Sequence, residues 1–240
     1  MNPFLSVVIP AHNEENRLPE SLEQVFEFLN KQSFTSEVIV VENGSNDRTF
    51  EVAQEFAQRH ASLRVIQSER GKGAAVRAGM LEARGEYRFM CDADLSMSVE
   101  EIPNFIPPAI GNSDIAISSR EAKGAMRYDE PLYRHLGGRA VNFIVQLFIL
   151  PGLNDTQCGF KCFTAKVAED IFKLQTLKGW SFDIELLYVA RRRRYKIIEI
   201  PIHWVHHPET KVSAVRDAIR MIQDIFRIRL NALRGMYETR

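Results

Sequence analysis

The first part of the chain alternates between short β-branched runs and segments whose apolar residues recur at helical spacing. Residues 5–9 and 37–42 form two such runs, and the segment between them has the helical pattern. The alternation continues to a strand that ends at Cys91. Strand, helix and strand in this order predict a parallel sheet. We therefore expect an α/β protein with a doubly wound, mostly parallel sheet that binds ligands where its strands end.

The rest of the chain is less regular but keeps the same kinds of element. The pattern predicts strands at 114–118, 160–163 and 196–202, a polar loop at 121–131, and helices at 133–150, 182–194 and 215–234. No repeat or low-complexity linker interrupts it. We expect one domain over residues 1–212, followed by a C-terminal amphipathic helical extension over residues 213–240.

Charge and cysteine content narrow the function classes. Lys and Arg number 31, as do Asp and Glu, so the formal net charge is zero. A general nucleic-acid binder would show a basic excess, and we expect no nucleic-acid partner. Cys91, Cys158 and Cys162 are too few for a disulfide framework and fit reduced cytosolic thiols that pack as small apolar residues.

Asp92 and Asp94 follow a predicted strand that ends in an apolar run. Alternate side chains of extended chain point the same way, so the two carboxylates are expected on one side. Mg²⁺ and Mn²⁺ prefer oxygen ligands and commonly bind one or two carboxylates together with substrate phosphates. The alternative is a solvated turn in which Asp94 or Ser96 caps the next helix.

Glycines flank Lys72 at the start of a predicted helix, with Arg70 close by. Cations and accessible backbone N–H groups at a helix start suit a phosphate. The alternative is that the glycines only form a turn and the cations are solvated. Together with the two aspartates they indicate a nucleotide diphosphate. The first strand-to-helix turn contains no glycine, which argues against a dinucleotide-dependent dehydrogenase.

Six ordered motifs resemble the family 2 glycosyltransferases of GT-A fold, and within them the branch of dolichyl-phosphate β-glucosyltransferases and polyprenyl-phosphate hexose synthases. The resemblance extends from about Leu5 to Lys211. The motifs are SVVIPAHNEE, EVIVVENGSNDRT, ERGKGAAVRAGM, FMCDADLS, ISSR and DTQCGFKCF. The resemblance implies that residues 1–212 form a catalytic GT-A domain.

The resemblance also implies roles for individual residues. The nucleotide pocket would contain Pro10, His12, Glu14, Glu42, Lys72 and Asp92, and the carboxylates of Asp92 and Asp94 would bind Mg²⁺ or Mn²⁺. The acceptor phosphate would meet Arg120, Arg134, Arg139 and Gln157. Catalytic roles would fall to Asp94, Asp155 and Asp183, and the alternative for Asp183 is a helix N-cap. Lys211 and Ser213 resemble a mobile loop over the donor.

The sequence departs from the common pattern of the family in two motifs. Glu42 and Asn43 stand where two aspartates are usual, so the contact made by Glu42 differs by one methylene. Ser96 stands where many mannosyl-phosphate synthases have glutamine, which favours UDP over GDP.

The implied reaction is inverting transfer of a hexose, most simply glucose from UDP-glucose, to dolichyl or polyprenyl phosphate. One alternative is a GDP-mannose-dependent polyprenyl-phosphate mannosyltransferase, and another is a family 2 transferase with a soluble acceptor. A third is a catalytically silent subunit that binds sugar nucleotide or lipid for a membrane complex.

Residues 141–150 and the C-terminal helix suggest contact with a membrane surface. The segment 141–150 is apolar but too short to span a bilayer, and residues 191–196 are basic. The C-terminal helix carries Val215, Ile219, Ile222, Phe226, Leu230 and Leu233 on one stripe and arginines elsewhere. We expect a peripheral protein at the cytoplasmic face of a membrane. The same stripe would also suit docking on the domain or on a second subunit, so a homo-oligomer stays open.

Overall fold

A computed structural model describes residues 2–129, 131–205 and 214–238, with side chains except at 132–136, 140 and 214–218. The strands are β1 (Leu5–Ala11), β2 (Ser36–Glu42), β3 (Leu63–Gln67), β4 (Tyr87–Met90), β5 (Ile115–Ser119), β6 (Met126–Tyr128), β7 (Lys161–Thr164), β8 (Ile197–Pro201) and β9 (His203–Val205). The α-helices are α1 (Leu18–Asn30), α2 (Thr49–Arg59), α3 (Lys72–Glu82), α4 (Leu132–Phe148), α5 (Ala165–Leu174), α6 (Phe182–Arg192) and α7 (Ala214–Leu233). A 3₁₀ helix covers Val99–Phe105.

The main sheet of the described chain has seven strands in the order β3-β2-β1-β4-β7-β5-β8. β7 runs antiparallel to its neighbours β4 and β5, and the other pairs are parallel. The predicted mostly parallel α/β sheet is confirmed. Because six strands run the same way, their carboxyl ends lie along one edge, which we call the carboxyl edge, and β7 begins there.

Side chains alternate between the two faces of the sheet, and each face has its own apolar core. Val8 and Ile39 pack with residues of α3, α5, α6 and α7. Val7 and Val38, one position earlier in their strands, pack with residues of α1 and α2 and of the 3₁₀ helix. The helices on both faces hold the strand ends in fixed positions.

Close packing at two glycines fixes the position of α3. A Cβ atom at Gly79 would lie 2.3 Å from Val8 Cγ1 and 2.8 Å from Val41 Cγ2, so only glycine lets the helix approach the sheet this closely. At the other end, a Cβ at Gly73 would lie 2.7 Å from Cβ of Phe182 at the start of α6. The N-terminal ends of α3 and α6 therefore meet.

Three elements were absent from the sequence-based expectation. α5 was not predicted, although Val167, Ala168, Ile171 and Phe172 are buried on one face at helical spacing. β6 lies inside the predicted polar loop 121–131 and pairs in parallel with β9. These two short strands pair across a long sequence separation, which local patterning does not reveal.

α7 packs through residues that the predicted stripe does not contain. Ile225, Ile228 and Ala232 are buried in the core of the sheet. The stripe residues whose side chains are described are exposed instead: Ile219, Ile222, Phe226, Leu230 and Leu233. Docking of that stripe on the domain is therefore wrong, because the helix presents a different face to the core.

Two further expectations concern the cysteines and the membrane. Cys91, Cys158 and Cys162 are buried free thiols, as predicted. In the part of the chain that the structure describes, no helix combines the length and the apolar character needed to cross a bilayer.

Candidate active site

A cleft of about 410 Å³ opens at the carboxyl edge, within the size range of small-molecule sites. Loops after β1, β2, β3 and β4 and the segment before α6 form its walls. Its lining residues are Pro10, His12, Asn13, Glu14, Asn43, Arg70, Gly71, Lys72, Asp92, Ala93, Asp94 and Trp180. Of the predicted nucleotide and metal residues, the structure brings all but Glu42 to this one cleft.

Lys72 and Asp92 form an ion pair inside the cleft. Lys72 Nζ lies 2.6 Å from Asp92 Oδ1, and both side chains are largely buried. Burial by itself would lower the pKa of Lys72, but the carboxylates of Asp92 and Asp183 raise it above its usual value. A Cβ at Gly159 would lie 2.3 Å from Asp92 Oδ2, so the second oxygen packs on a glycine. Because its pKa is raised, Lys72 carries a positive charge at neutral pH.

Asp94 is less constrained than Asp92. Its Oδ1 accepts a hydrogen bond from the Ser96 N–H at 3.1 Å, which forms a local turn. The cap of the following 3₁₀ helix is Ser98, whose Oγ accepts from the Glu100 N–H at 3.3 Å. The alternative in which Asp94 or Ser96 caps this helix is therefore wrong, and the Asp94 carboxylate lines the cleft.

The donor set fits a divalent cation that relies on its substrate for further ligands. Asp92 and Asp94 bring two hard oxygen donors to one cleft. Among the described residues, no group of three or more His, Cys, Asp or Glu side chains gathers to bind a metal alone. Mg²⁺ and Mn²⁺ typically bind nucleotides with one or two carboxylates and complete their shell with phosphate and water.

Glu42 stabilises a loop beside the cleft and is not among the residues that line the cleft. Its Oε1 accepts from the Ser45 N–H at 2.5 Å and its Oε2 from the Gln67 amide at 3.0 Å. Burial alone would raise the pKa of Glu42, but these hydrogen bonds lower it below its usual value. The neighbouring Asn43 lines the cleft, although the family resemblance assigned it no contact.

Arg120 and Asp155 form a second ion pair, at the end of β5. The guanidinium donates from Nε to Asp155 Oδ2 at 2.7 Å and from Nη2 to Oδ1 at 3.0 Å. Asp155 is fully buried, and its pKa falls below the usual value because Arg120 more than offsets the effect of burial. Both carboxylate oxygens are thus committed to orienting Arg120, whose guanidinium also lies 5.4 Å from the ring centre of Trp204.

Lys161 and Asp183 form a third pair, which the sequence analysis did not foresee. Lys161 Nζ lies 3.0 Å from Asp183 Oδ1 and donates to the Cys158 carbonyl at 2.5 Å. Both side chains are almost completely buried. Burial raises the pKa of Asp183, and the charges of Lys161 and Lys72 offset this only in part. The available signal was a lysine between Phe160 and Cys162 in an otherwise apolar run.

The remaining predicted residues lie apart from the cleft or outside the description. Gln157 is half-buried between Asp155 and β7, and Arg139 is exposed on α4. Arg134 lies on α4 with a side chain outside the described set, and the Lys211 and Ser213 loop falls outside the described residues.

Sequence comparison identifies the family. The sequence profile described as "Glycosyl transferase family 2" matches residues 6–172. The chain belongs to glycosyl transferase family 2. Among family 2 relatives, dolichyl-phosphate beta-glucosyltransferases from Dictyostelium discoideum, Homo sapiens and Saccharomyces cerevisiae are 32%, 35% and 32% identical to it. The alignments cover 99%, 97% and 98% of this chain and 77%, 77% and 76% of those proteins.

Solved structures show the same GT-A fold. Glucosyl-3-phosphoglycerate synthase from Mycobacterium tuberculosis, in complex with Mn²⁺, UDP-glucose and phosphoglyceric acid, matches with a TM-score of 0.64 at 18% identity, covering 95% of this chain and 79% of that one. Mannosyl-3-phosphoglycerate synthase from Rubrobacter xylanophilus matches with a TM-score of 0.71 at 15% identity, covering 99% and 76%. The sequence relatives therefore show the family, and the solved structures show the fold.

The Arg120–Asp155 pair predicts an acid-dependent stability. Asp155→Asn should lower the free energy of unfolding by about 3–5 kcal/mol at neutral pH, because it leaves a guanidinium beside a buried neutral group. Since folding depresses the pKa of Asp155, its contribution should be complete above about pH 4 and decline below that. Urea unfolding of both proteins from neutral to acid pH measures the difference.

The control is Glu27→Gln, which removes an exposed pair with Lys31 and should leave the stability without measurable change. A difference between wild type and Asp155→Asn that stays constant down to pH 3 would contradict the assigned pair.

Proposed function

We propose that this glycosyltransferase moves glucose from UDP-glucose to dolichyl phosphate or a related polyprenyl phosphate, with inversion at the anomeric carbon. The observation that carries the proposal is the meeting of Lys72, Asp92 and Asp94 in one cleft of a family 2 chain. The dolichyl-phosphate beta-glucosyltransferases at 32–35% identity over nearly the whole chain support the sugar and the acceptor.

The donor half of the site would be built around the diphosphate. Lys72 is held charged at the start of α3, and Asp94 and Asp92 would hold Mg²⁺ or Mn²⁺ against the phosphates. The bound metal would supply positive charge to the leaving diphosphate. Pro10, His12, Glu14 and Asn43, at the other wall, would hold the uridine.

In this proposal Arg120 is the main cation that binds the acceptor phosphate. It follows β5, which lies two strands from β4, so it stands about 10 Å along the carboxyl edge from Asp92. Asp155 would act as a positioning residue that presents Arg120 to the lipid phosphate. Arg139 and Gln157 would contribute at the periphery.

The acceptor needs little activation by the protein. A phosphate monoester has a second pKa of about 6 and is mostly dianionic at pH 7, so its oxygen is already a nucleophile. That oxygen would attack C1 of glucose in line with the departing UDP, forming the new C1–O bond as the bond to the UDP oxygen breaks. Lys72 would stabilise the charge on UDP, and the charge of Asp183, together with that of Asp92, would help to keep Lys72 protonated.

The assay that tests this proposal follows glucose into lipid. Purified protein, Mn²⁺, dolichyl phosphate and UDP-[¹⁴C]glucose should yield a labelled lipid, whereas GDP-[¹⁴C]mannose should not. Asp94→Asn should lower turnover by at least about a hundredfold, because it removes a metal ligand worth several kcal/mol in the transition state. Glu51→Gln on α2, which changes an exposed carboxylate, should keep wild-type turnover.

Label in lipid from GDP-mannose alone would reject the donor assignment, and a folded Asp94→Asn protein with full turnover would reject the metal role. Labelled water-soluble product without labelled lipid would favour a soluble acceptor.

We also propose that α4 and α7 form the membrane-facing surface, at the cytoplasmic face. The helices pack against each other, and Arg229 Nη2 donates to the Phe148 carbonyl at 2.6 Å. Each leaves large apolar side chains exposed: Phe143, Leu147 and Phe148 on α4, and Ile219, Ile222, Phe226, Leu230 and Leu233 on α7. Interfacial helices bury such side chains at the headgroup boundary.

Apolar contact, more than charge, would supply this binding. In the basic segment 191–196, Arg193 pairs with Asp170 and Arg192 lies 3.5 Å from Glu238. Those two cations are partly neutralised within the protein, so their attraction to anionic lipid is reduced.

Vesicle binding tests the surface. Phe143→Ser with Phe148→Ser should weaken binding to phosphatidylcholine vesicles by about tenfold or more, because both rings are more than half exposed and would be buried in lipid. UDP binding should not change. The control Met126→Ser removes an exposed apolar side chain from β6 and should bind vesicles like the wild type. Equal vesicle binding by the double variant would show that this surface does not meet the membrane.

A further inference from the structure

Trp180 is an exposed aromatic residue inside the cleft. It is 48% exposed, whereas the next three residues, 181–183, are buried. Its ring lies over Lys72, with Nζ 5.0 Å from the ring centre. An indole at the wall of a polar cleft offers a flat apolar surface to whatever enters.

The segment that carries Trp180 is held rigidly against the start of α3. The Gln175 amide donates to the carbonyls of Gly73 and Leu177 at 2.8 and 2.7 Å, and Ala74 N–H donates to the Lys178 carbonyl at 3.2 Å. A Cβ at Gly71 would lie 2.4 Å from that same carbonyl oxygen. These contacts place Trp180 before any ligand arrives.

Buried Glu185 on α6 secures the same segment from the other side. Its Oε2 accepts from the N–H groups of Thr176 and Leu177 at 2.9 and 2.8 Å. A preformed wall binds a ligand without the entropic cost of ordering it, which is the property expected of a recognition surface.

The position of Trp180 indicates which part of the donor it meets. Asn43 and Glu14 line the wall formed by the loops after β2 and β1, whereas Trp180 stands with Lys72 at the wall between α3 and α6. With a diphosphate at Lys72, the group attached to its distal phosphate would lie beside the indole.

We propose that Trp180 is a donor-binding residue that stacks on the pyranose ring of the nucleotide-linked hexose, an inference that rests on the proposed function. A pyranose in the glucose configuration has C–H bonds on its faces and hydroxyls around its edge. The indole face would bury the C–H groups of such a ring, while its hydroxyls would stay toward the polar part of the cleft.

The test compares a ligand with the hexose and one without it. Calorimetry in the presence of Mn²⁺ measures the affinity of wild type, Trp180→Ala and Trp180→Phe for UDP-glucose and for UDP. Trp180→Ala should bind UDP-glucose about tenfold more weakly and UDP within about twofold of wild type, and Trp180→Phe should recover most of the loss. Tyr128→Ala, which removes an exposed aromatic residue outside the cleft lining, should match wild type with both ligands.

Each other outcome has a distinct meaning. Equal loss for UDP and UDP-glucose in Trp180→Ala would overturn the inference, because the ring would then act through Lys72 or the nucleotide. Unchanged UDP-glucose affinity, with or without a higher KM for dolichyl phosphate, would also overturn it. Failure of the wild type to bind either ligand would reject the proposed function itself. Thermal unfolding of each variant checks that the half-exposed site tolerates the change.

Discussion

A charged group that leaves water must find an opposite charge or hydrogen-bond partners, and the carboxyl edge of this sheet is arranged around that requirement. Lys161 is almost completely buried at the start of β7 and has Asp183 as its partner. Asp155 is fully buried and has Arg120. Lys72 has Asp92. Removing one member of such a pair leaves the charge of the other without a partner. Each pair therefore keeps its two side chains together at the carboxyl edge.

The three pairs differ in how far they open toward solvent. The Lys161–Asp183 pair is internal, whereas Lys72 and Asp92 line the cleft and Arg120 is partly exposed. In the proposed reaction the two accessible cations would serve the two phosphate-bearing substrates, the donor at Lys72 and the acceptor at Arg120. The buried Lys161–Asp183 pair would then stabilise the protein between the donor and acceptor sites.

The sequence correctly predicted which site residues lie together where a motif stands at the end of a strand or the start of a helix. Asp92, Asp94 and Lys72 follow strands or begin a helix, so a parallel sheet must bring them to one edge. It did not reveal that both carboxylate oxygens of Asp155 bind Arg120, or that Lys161 pairs with Asp183. The partners are 35 and 22 residues apart in the sequence and meet only in the folded protein.

The same limit applies to Trp180 and to α7. Whether a tryptophan belongs to the core or to the wall of a cleft depends on what packs around it. Here the segment before Trp180 is held by hydrogen bonds to α3 and to Glu185. The apolar residues of α7 occupy more than one side of the helix, so spacing alone could not select Ile225 and Ile228 as the buried ones.

If Lys72 and Asp94 receive the diphosphate of the donor, a crystal structure of the protein with UDP and Mn²⁺ should show it. We expect a phosphate oxygen within hydrogen-bond distance of Lys72 Nζ, the metal on Asp94, and the uracil at the wall formed by Pro10 and Asn43. A nucleotide bound outside this cleft, or a diphosphate out of reach of Lys72, would rule out this donor site.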